Sequence, residues 1–405
     1  MSVTGGIWRA DAPMAAGAAP ACVAAVPVAR TRLQGIDALR GFVMVLMLLD
    51  HLRETWFLHV AMPDPIDART ALPALYLARL AASLCAPVFV ALTGIAAFLY
   101  ASKHSPAETR AYLVKRGLVL MAIDIVYASE LYWGVASPTF WLQVIWCIGV
   151  CMIVLAALIG LPRRVLLAIG LAIVGGHNLL DAVRLSPDQP FFPLWAMLHQ
   201  RDVIALPFGL AAKTTYPVLV WIGVIVLGFA IGPWFLPTVA APVRRRRLAA
   251  AGVAMLAGFV ALRLANGYGD APWFVVEGEP MRTAMSFFAL TKYPPSLLFL
   301  LLTLGCGALL LALFERLAGQ RAIAALAVFG GAPMFFYLFH LTVLRLLYHA
   351  AAAIWGPTHG STFGVDAYGW VLVWYVGLIL PLYLPTAWFA RFKARRRDIR
   401  WLKYL

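Results

Sequence analysis

The sequence predicts an all-α fold: a polytopic integral membrane helical bundle of about ten transmembrane helices, with both termini cytoplasmic. Three observations carry this. Of 405 residues, 63% are hydrophobic and 13% charged, with a mean hydropathy of +0.84, more apolar surface than a soluble core of this length requires. The apolar stretches are continuous rather than alternating, which excludes a membrane β-barrel. Finally, with the N-terminus placed inside, 22 of the 33 basic residues fall in cytoplasmic segments, the bias that sets membrane topology.

Hydrophobic runs bounded by Pro, Gly and charge place the spans at 36–56, 73–100, 117–134, 139–160, 165–182, 216–236, 248–266, 295–315, 322–349 and 368–390. The third and fifth are short, and Gly330-Gly331 and Pro333 kink the long ninth. Residues 1–32 are rich in Ala, Gly and Pro without an apolar core, and read as a disordered cytoplasmic lead rather than a signal peptide. Residues 33–390 form the membrane domain and 391–405 a basic cytoplasmic tail. The net charge of +15 reflects this topology. The run Arg244 to Arg247 and the tail suit anionic membrane lipids, and no nucleic-acid partner is expected. The five cysteines sit mostly inside apolar runs, and Cys147-x-x-x-Cys151 lacks the second pair a zinc site needs, so no metal is expected.

The unusual polar residues come next. Arg40 and His51 lie eleven residues apart in an otherwise apolar helix, roughly 16 Å of rise with about 20° of drift, so they look toward the same side together with Asp37, Met44 and Met47. Ionisable groups at membrane depth face protein or a wet cavity; the alternative is that both are interfacial, with Arg40 snorkelling. Asp50 and His51 end the first span outward, and His59 follows in the first outer loop. Glu130 lies near the outer end of the third span. His177, Asn178 and Asp181 end the fifth, with His177 and Asp181 spaced to pair on one helix face. Lys292 and Tyr293 enter the eighth span, and Tyr337 and His340 occupy the outer half of the ninth. Asp124, Arg79 and Arg345 need partners at membrane depth. A histidine held by a carboxylate through one ring nitrogen is a general base at the other. Adjacent helical residues point about 100° apart, so Asp50, Asp181 or Glu130 are alternative partners for whichever histidine serves. No phosphate-loop, His-Glu-x-x-His or Gly-x-Ser-x-Gly motif is present.

The stretch Leu33-Gln34-Gly35-Ile36-Asp37-Ala38-Leu39-Arg40-Gly41, followed by Leu49-Asp50-His51, resembles the opening of bacterial membrane proteins related to heparan-α-glucosaminide N-acetyltransferase. The similarity continues through Cys85-Ala86-Pro87-Val88-Phe89, Thr93-Gly94, Leu142-Gln143-Val144-Ile145-Trp146 and Gly176-His177-Asn178-Leu179-Leu180-Asp181. Beyond these it takes in Trp221-Ile222-Gly223, Lys292-Tyr293-Pro294-Pro295-Ser296-Leu297-Leu298-Phe299, and Phe329 to Tyr337 with His340. The Arg-x10-His spacing is also similar to that of integral-membrane acyltransferases that O-acylate surface polysaccharides.

The resemblance implies an acyltransferase of the inner membrane. It would move an acetyl group from cytoplasmic acetyl-CoA, or another acyl-CoA, to a sugar amine or hydroxyl on the outer side, without a metal. The heparan analogy points to His59, after the aromatic pair Trp56-Phe57, as the catalytic histidine; the polysaccharide analogy points to His51. Arg40, Lys115 and Arg116 are the candidates for the donor phosphates, and Asp37, Asp124, His177, Asn178, Asp181, Lys292, Tyr293, Tyr337 and His340 for the supporting polar cluster. A saccharide-type acceptor and membrane lipids are the expected partners, and a homo-oligomer is compatible with the sequence. A transporter of a small polar substrate, or a non-catalytic subunit of an envelope-polymer system, are the rival readings; no inverted internal repeat favours the first.

Overall fold

The computed structural model describes residues 33–60, 62–129, 138–396, 398–399 and 402. Glu130 lies outside them, as do 1–32 and six of the fifteen tail residues. Fourteen α-helices are described: α1 Gln34–Trp56, α2 Pro73–Ala82, α3 Cys85–Ala101, α4 Pro106–Ile123, α5 Val144–Leu158, α6 Arg163–Gly176, α7 Phe192–Leu198, α8 Leu219–Ile231, α9 Ala241–Ala265, α10 Pro280–Phe288, α11 Leu297–Arg316, α12 Arg321–Gly331, α13 Pro333–Trp355 and α14 Tyr368–Arg395. Among the described residues, six helical segments are long and apolar enough to cross a membrane: Pro73–Ala101, Arg163–Leu180, Ala241–Ala265, Leu297–Arg316, Pro333–Trp355 and Tyr368–Arg395. Val144–Leu158, Leu219–Phe235 and Arg321–Gly331 are shorter apolar helices.

Local chemistry sets the helix ends. Ser105-Pro106-Ala107-Glu108 is a capping box that opens α4: Glu108 N–H donates to Ser105 Oγ at 3.3 Å, and Ser105 N–H to the Glu108 carboxylate at 2.9 Å. Ser296 caps α11 by accepting from Phe299 N–H at 3.0 Å. The long ninth run divides at Ala332, and Pro333 starts α13, where its missing N–H costs nothing.

The structure differs from an all-α bundle in one respect. Residues 139–142, expected to begin a span, form strand β1 (Thr139–Leu142), which pairs in parallel with β3 (Ala211–Thr214); β2 (Val203–Ala205) pairs antiparallel to β3. These segments are too short for helices, and pairing satisfies their backbone groups at the polar end of the bundle.

α1 is the central helix, packed on α2, α3, α11, α12, α13 and α14. Its approach to α12 is close enough to require glycine. A Cβ on Gly41 would lie 1.8 Å from Leu326 O, and one on Gly330 would lie 1.9 Å from Asp37 O. Gly94 and Gly228 let α3 and α8 touch in the same way. Backbone contact through small residues is how helices associate in lipid, where apolar surface alone gives no preference for a neighbour.

Candidate active site

At the C-terminal end of α1 a cavity of about 280 Å³ opens. α1 supplies Met47, Asp50, His51, Arg53 and Glu54; α2 and α3 supply Arg79 and Cys85. The connecting segments add Asp64, Gln143, Arg201, Tyr216, Lys292 and Tyr293, and α13 adds Tyr337.

Asp50 is the electrostatic anchor. Its carboxylate accepts from Arg53 Nε at 3.2 Å and Arg79 Nη1 at 3.1 Å, with Lys292 Nζ 3.7 Å away. Arg53 also binds Glu54 at 2.9 Å. Arg201 stands over the Tyr293 ring at 4.9 Å, and the Tyr293 and Tyr216 hydroxyls are 3.2 Å apart. Asp64 accepts from the backbone N–H groups of Lys292 and Tyr293. Burial nonetheless holds its carboxyl above the ordinary carboxylate range, against those bonds and the Arg79 charge.

One partner of His51 is another histidine. His51 Nδ1 lies 2.7 Å from Nε2 of His340. The ring planes are parallel within 1° and the centroids 5.0 Å apart, the geometry of an in-plane N–H···N bond rather than of stacked faces. His340 is fully buried, and its Nδ1 is 2.7 Å from Phe336 O. A carbonyl only accepts, so His340 Nδ1 carries the proton and its Nε2 is the lone-pair nitrogen. His51 must then donate from Nδ1, and its own lone pair resides on Nε2. The chain Phe336 C=O, His340, His51 fixes the tautomer of a residue that lines the cavity. Asp50 contacts the neighbouring cations instead, as the 100° between adjacent helical positions requires.

The other expected residues distribute as follows. His59 is exposed in the loop after α1, outside the cavity, with its ring 3.7 Å from that of His359; burial and the neighbouring His359 hold it below the ordinary imidazole value. Arg40 donates to Asp37 at 2.9 Å and to Gly330 O at 3.1 Å, joining α1 to α12 beside the glycine contact. Lys115 is exposed on α4, and Arg116 donates to Tyr112 Oη at 2.7 Å; neither lines the cavity. Asp124 is fully buried and accepts from Gln143 N–H at 2.8 Å, while its Oδ1 has no hydrogen-bond partner among the described residues. It thereby fixes the start of α5 against the cavity.

His177 and Asp181 do not pair. His177 lies between Val174 O, 3.0 Å from Nδ1, and Pro295 O, 2.8 Å from Nε2. Asp181 instead meets His199 Nε2 at 2.8 Å, because the turn after α6 rotates it away from His177. Asn178 donates to Asp181 at 2.8 Å and accepts from Leu297 N–H at 2.9 Å. Asp64, Tyr216 and His199 sit in loops without a sequence motif, and Arg53 and Arg201 carry none either, so the sequence did not single them out.

The family model for heparan-alpha-glucosaminide N-acetyltransferase, catalytic, matches residues 32–264. The chain belongs to this family. The match includes Asp50, His51, Arg79 and Arg201 and ends before Lys292, Tyr293, Tyr337 and His340. No curated protein matches the chain. Membership in this acetyltransferase family, with the apolar helices above, makes the chain an integral membrane protein of a transferase family.

Proposed function

We propose that the protein is a transmembrane acetyltransferase of the inner membrane. In this reading ten spans place both termini in the cytoplasm and the cavity at the outer side, acetyl-CoA donates from the cytoplasm, and a sugar amine or hydroxyl accepts. The observation that carries it is the 2.7 Å contact between His51 and His340 at the wall of the cavity, within a chain of this family.

The volume of about 280 Å³ is at the lower edge of small-molecule sites. It fits the reacting end of the donor beside one sugar ring, and the donor's nucleotide stays outside, within the field of Lys115 and Arg116. Acetyl-CoA supplies the acetyl group as an activated thioester. His51 Nε2 takes the proton from the acceptor N–H or O–H as the new bond to the acetyl carbon forms. The C–S bond breaks, and the proton held by His51 is returned to the departing thiolate. The resulting imidazolium is stabilised through Nδ1–H by His340. Arg79 and Lys292 supply positive potential for charge developing on the acetyl oxygen, while Asp50 keeps those cations in place.

The test is label transfer from acetyl-CoA to a glucosamine acceptor by purified protein. His51→Ala should lower turnover about 10²-fold or more, the usual scale of a lost general base, with protein yield maintained. Unchanged turnover in that variant would remove His51 from the mechanism and bring His59 forward.

A further inference from the structure

A second cavity, of about 470 Å³, lies beside the first and shares Asp64 and Tyr293 with it as a common wall. It is built from loops at the same end of the bundle: the segment after α6, the end of α7, the turn after α9 and the approach to α11. At its rim, Asp181 has a half-exposed carboxylate and Arg184 an exposed guanidinium. Deeper in, His199 is only 4% exposed; its Nε2 meets Asp181, and its Nδ1 has no hydrogen-bond partner among the described residues. Asn178 and Tyr268 complete the polar wall.

The two cavities differ in charge. The first collects Arg53, Arg79, Arg201 and Lys292 against Asp50, Glu54 and Asp64. The second sets Asp64, Asp181 and Asp270 against Arg184. Asp270 is held by Thr291 and Ser296 and by backbone N–H groups. A surface with paired acceptors and a donor suits neighbouring hydroxyl groups, which both donate and accept, whereas the acidic balance repels an anion.

We propose that this second cavity is an acceptor subsite for a neutral or amine-bearing sugar ring, linked across the Asp64–Tyr293 wall to the ring acetylated beside His51. The acceptor is therefore an oligosaccharide of at least two units, with no carboxylate or phosphate on the second. This rests on the saccharide-acceptor reading. The carboxylate of Asp181 accepts from ring hydroxyls, Arg184 donates to them, and the ring displaces water from a loop-built cleft without reaching His51.

The test measures kcat/KM of the purified protein with acetyl-CoA and three acceptors: glucosamine, a glucosamine disaccharide, and a disaccharide of glucosamine linked to glucuronate, each amine at the non-reducing end. The glucosamine disaccharide should be preferred to the monosaccharide by about tenfold, as two net hydrogen bonds allow, and also to the glucuronate compound. Arg184→Ala, which alters only the rim, and Asp181→Asn should each reduce the disaccharide-to-monosaccharide ratio about fivefold. Size-exclusion profiles verify that both variants fold. Equal use of monosaccharide and disaccharide by the unaltered protein, preference for the glucuronate compound, or full preference retained in the folded variants would overturn the subsite. Transfer to a simple non-sugar amine but to none of the three saccharides would instead refute the saccharide reading, and the subsite with it.

Discussion

Replacing His340 by alanine removes the acceptor of the His51 Nδ1–H bond without touching the surface of the cavity. Two effects set the magnitude. The 2.7 Å bond is worth about 1 kcal/mol net, and a buried donor left without a partner costs about 1–3 kcal/mol. Either tautomer of His51 then becomes accessible, and only the one with its lone pair on Nε2 is the base in the proposed geometry. At 1.36 kcal/mol per decade of rate, the combined loss of about 2–4 kcal/mol is about 30- to 900-fold in kcat, with KM for acetyl-CoA unaltered because His340 does not line the cavity. Steady-state transfer of labelled acetyl, measured on protein of verified monodispersity, gives both constants. His340→Gln retains a carbonyl oxygen able to accept from His51 and should recover part of the loss, which a merely space-filling role would not produce. Full kcat in a folded His340→Ala protein would refute the tautomer argument. So would a loss seen in KM alone.

Further outcomes follow from the same geometry. His59→Ala, at an exposed ring stack outside the cavity, should change transfer less than threefold, within the about 0.5 kcal/mol usual for surface sites, in the assay where His51→Ala is nearly inactive. Asp50→Asn removes the charge that holds Arg53, Arg79 and Lys292, leaving crowded buried cations, and should lower thermal stability by about 3 kcal/mol or more, read as a drop in Tm in detergent. Arg40→Lys places its ammonium short of the Nη1 position that donates to both Asp37 and Gly330 O. It should lower Tm by an amount equivalent to about 1 kcal/mol while leaving KM for acetyl-CoA unchanged; a raised KM with unchanged Tm would return Arg40 to donor binding. Gly41→Ala drives a methyl to 1.8 Å from Leu326 O and should sharply reduce the yield of folded protein, since neither helix backbone can yield without repacking.

Much of the helical architecture was legible because lipid imposes a simple rule: apolar runs long enough to span, with charges sorted between them. Each hydrophobic run is occupied by helix over most of its length. The strand at 139–142 escaped because four residues containing Phe and Trp at a span boundary do not differ in composition from the start of a helix. The neighbourhood of His51 was visible from its cost, an ionisable pair in an apolar helix. Its partner was not. His340 lies 289 positions away, and nothing in its local sequence separates a histidine bonded to another ring from one that is merely packed. The same limit applies to Asp181, whose partner His199 lies across a loop, whereas the nearer His177 fits the helical spacing and points elsewhere.

The backbone contact between Gly41 and Gly330 is also the fulcrum of a lever. His51 stands ten residues beyond Gly41 on one rigid arm, about 15 Å along the axis; His340 stands ten residues beyond Gly330 on the other, past the break at Ala332. A pivot of only 5° at the fulcrum would swing the tip of the first arm by about 1.3 Å, enough to break a short hydrogen bond and of the scale at which misplacement becomes costly to a reaction. The alignment of the two imidazoles is thus inherited from a backbone contact that lies outside the cavity. In the proposed function, any force that acts where these helices cross becomes a physical variable of the chemistry at the far end.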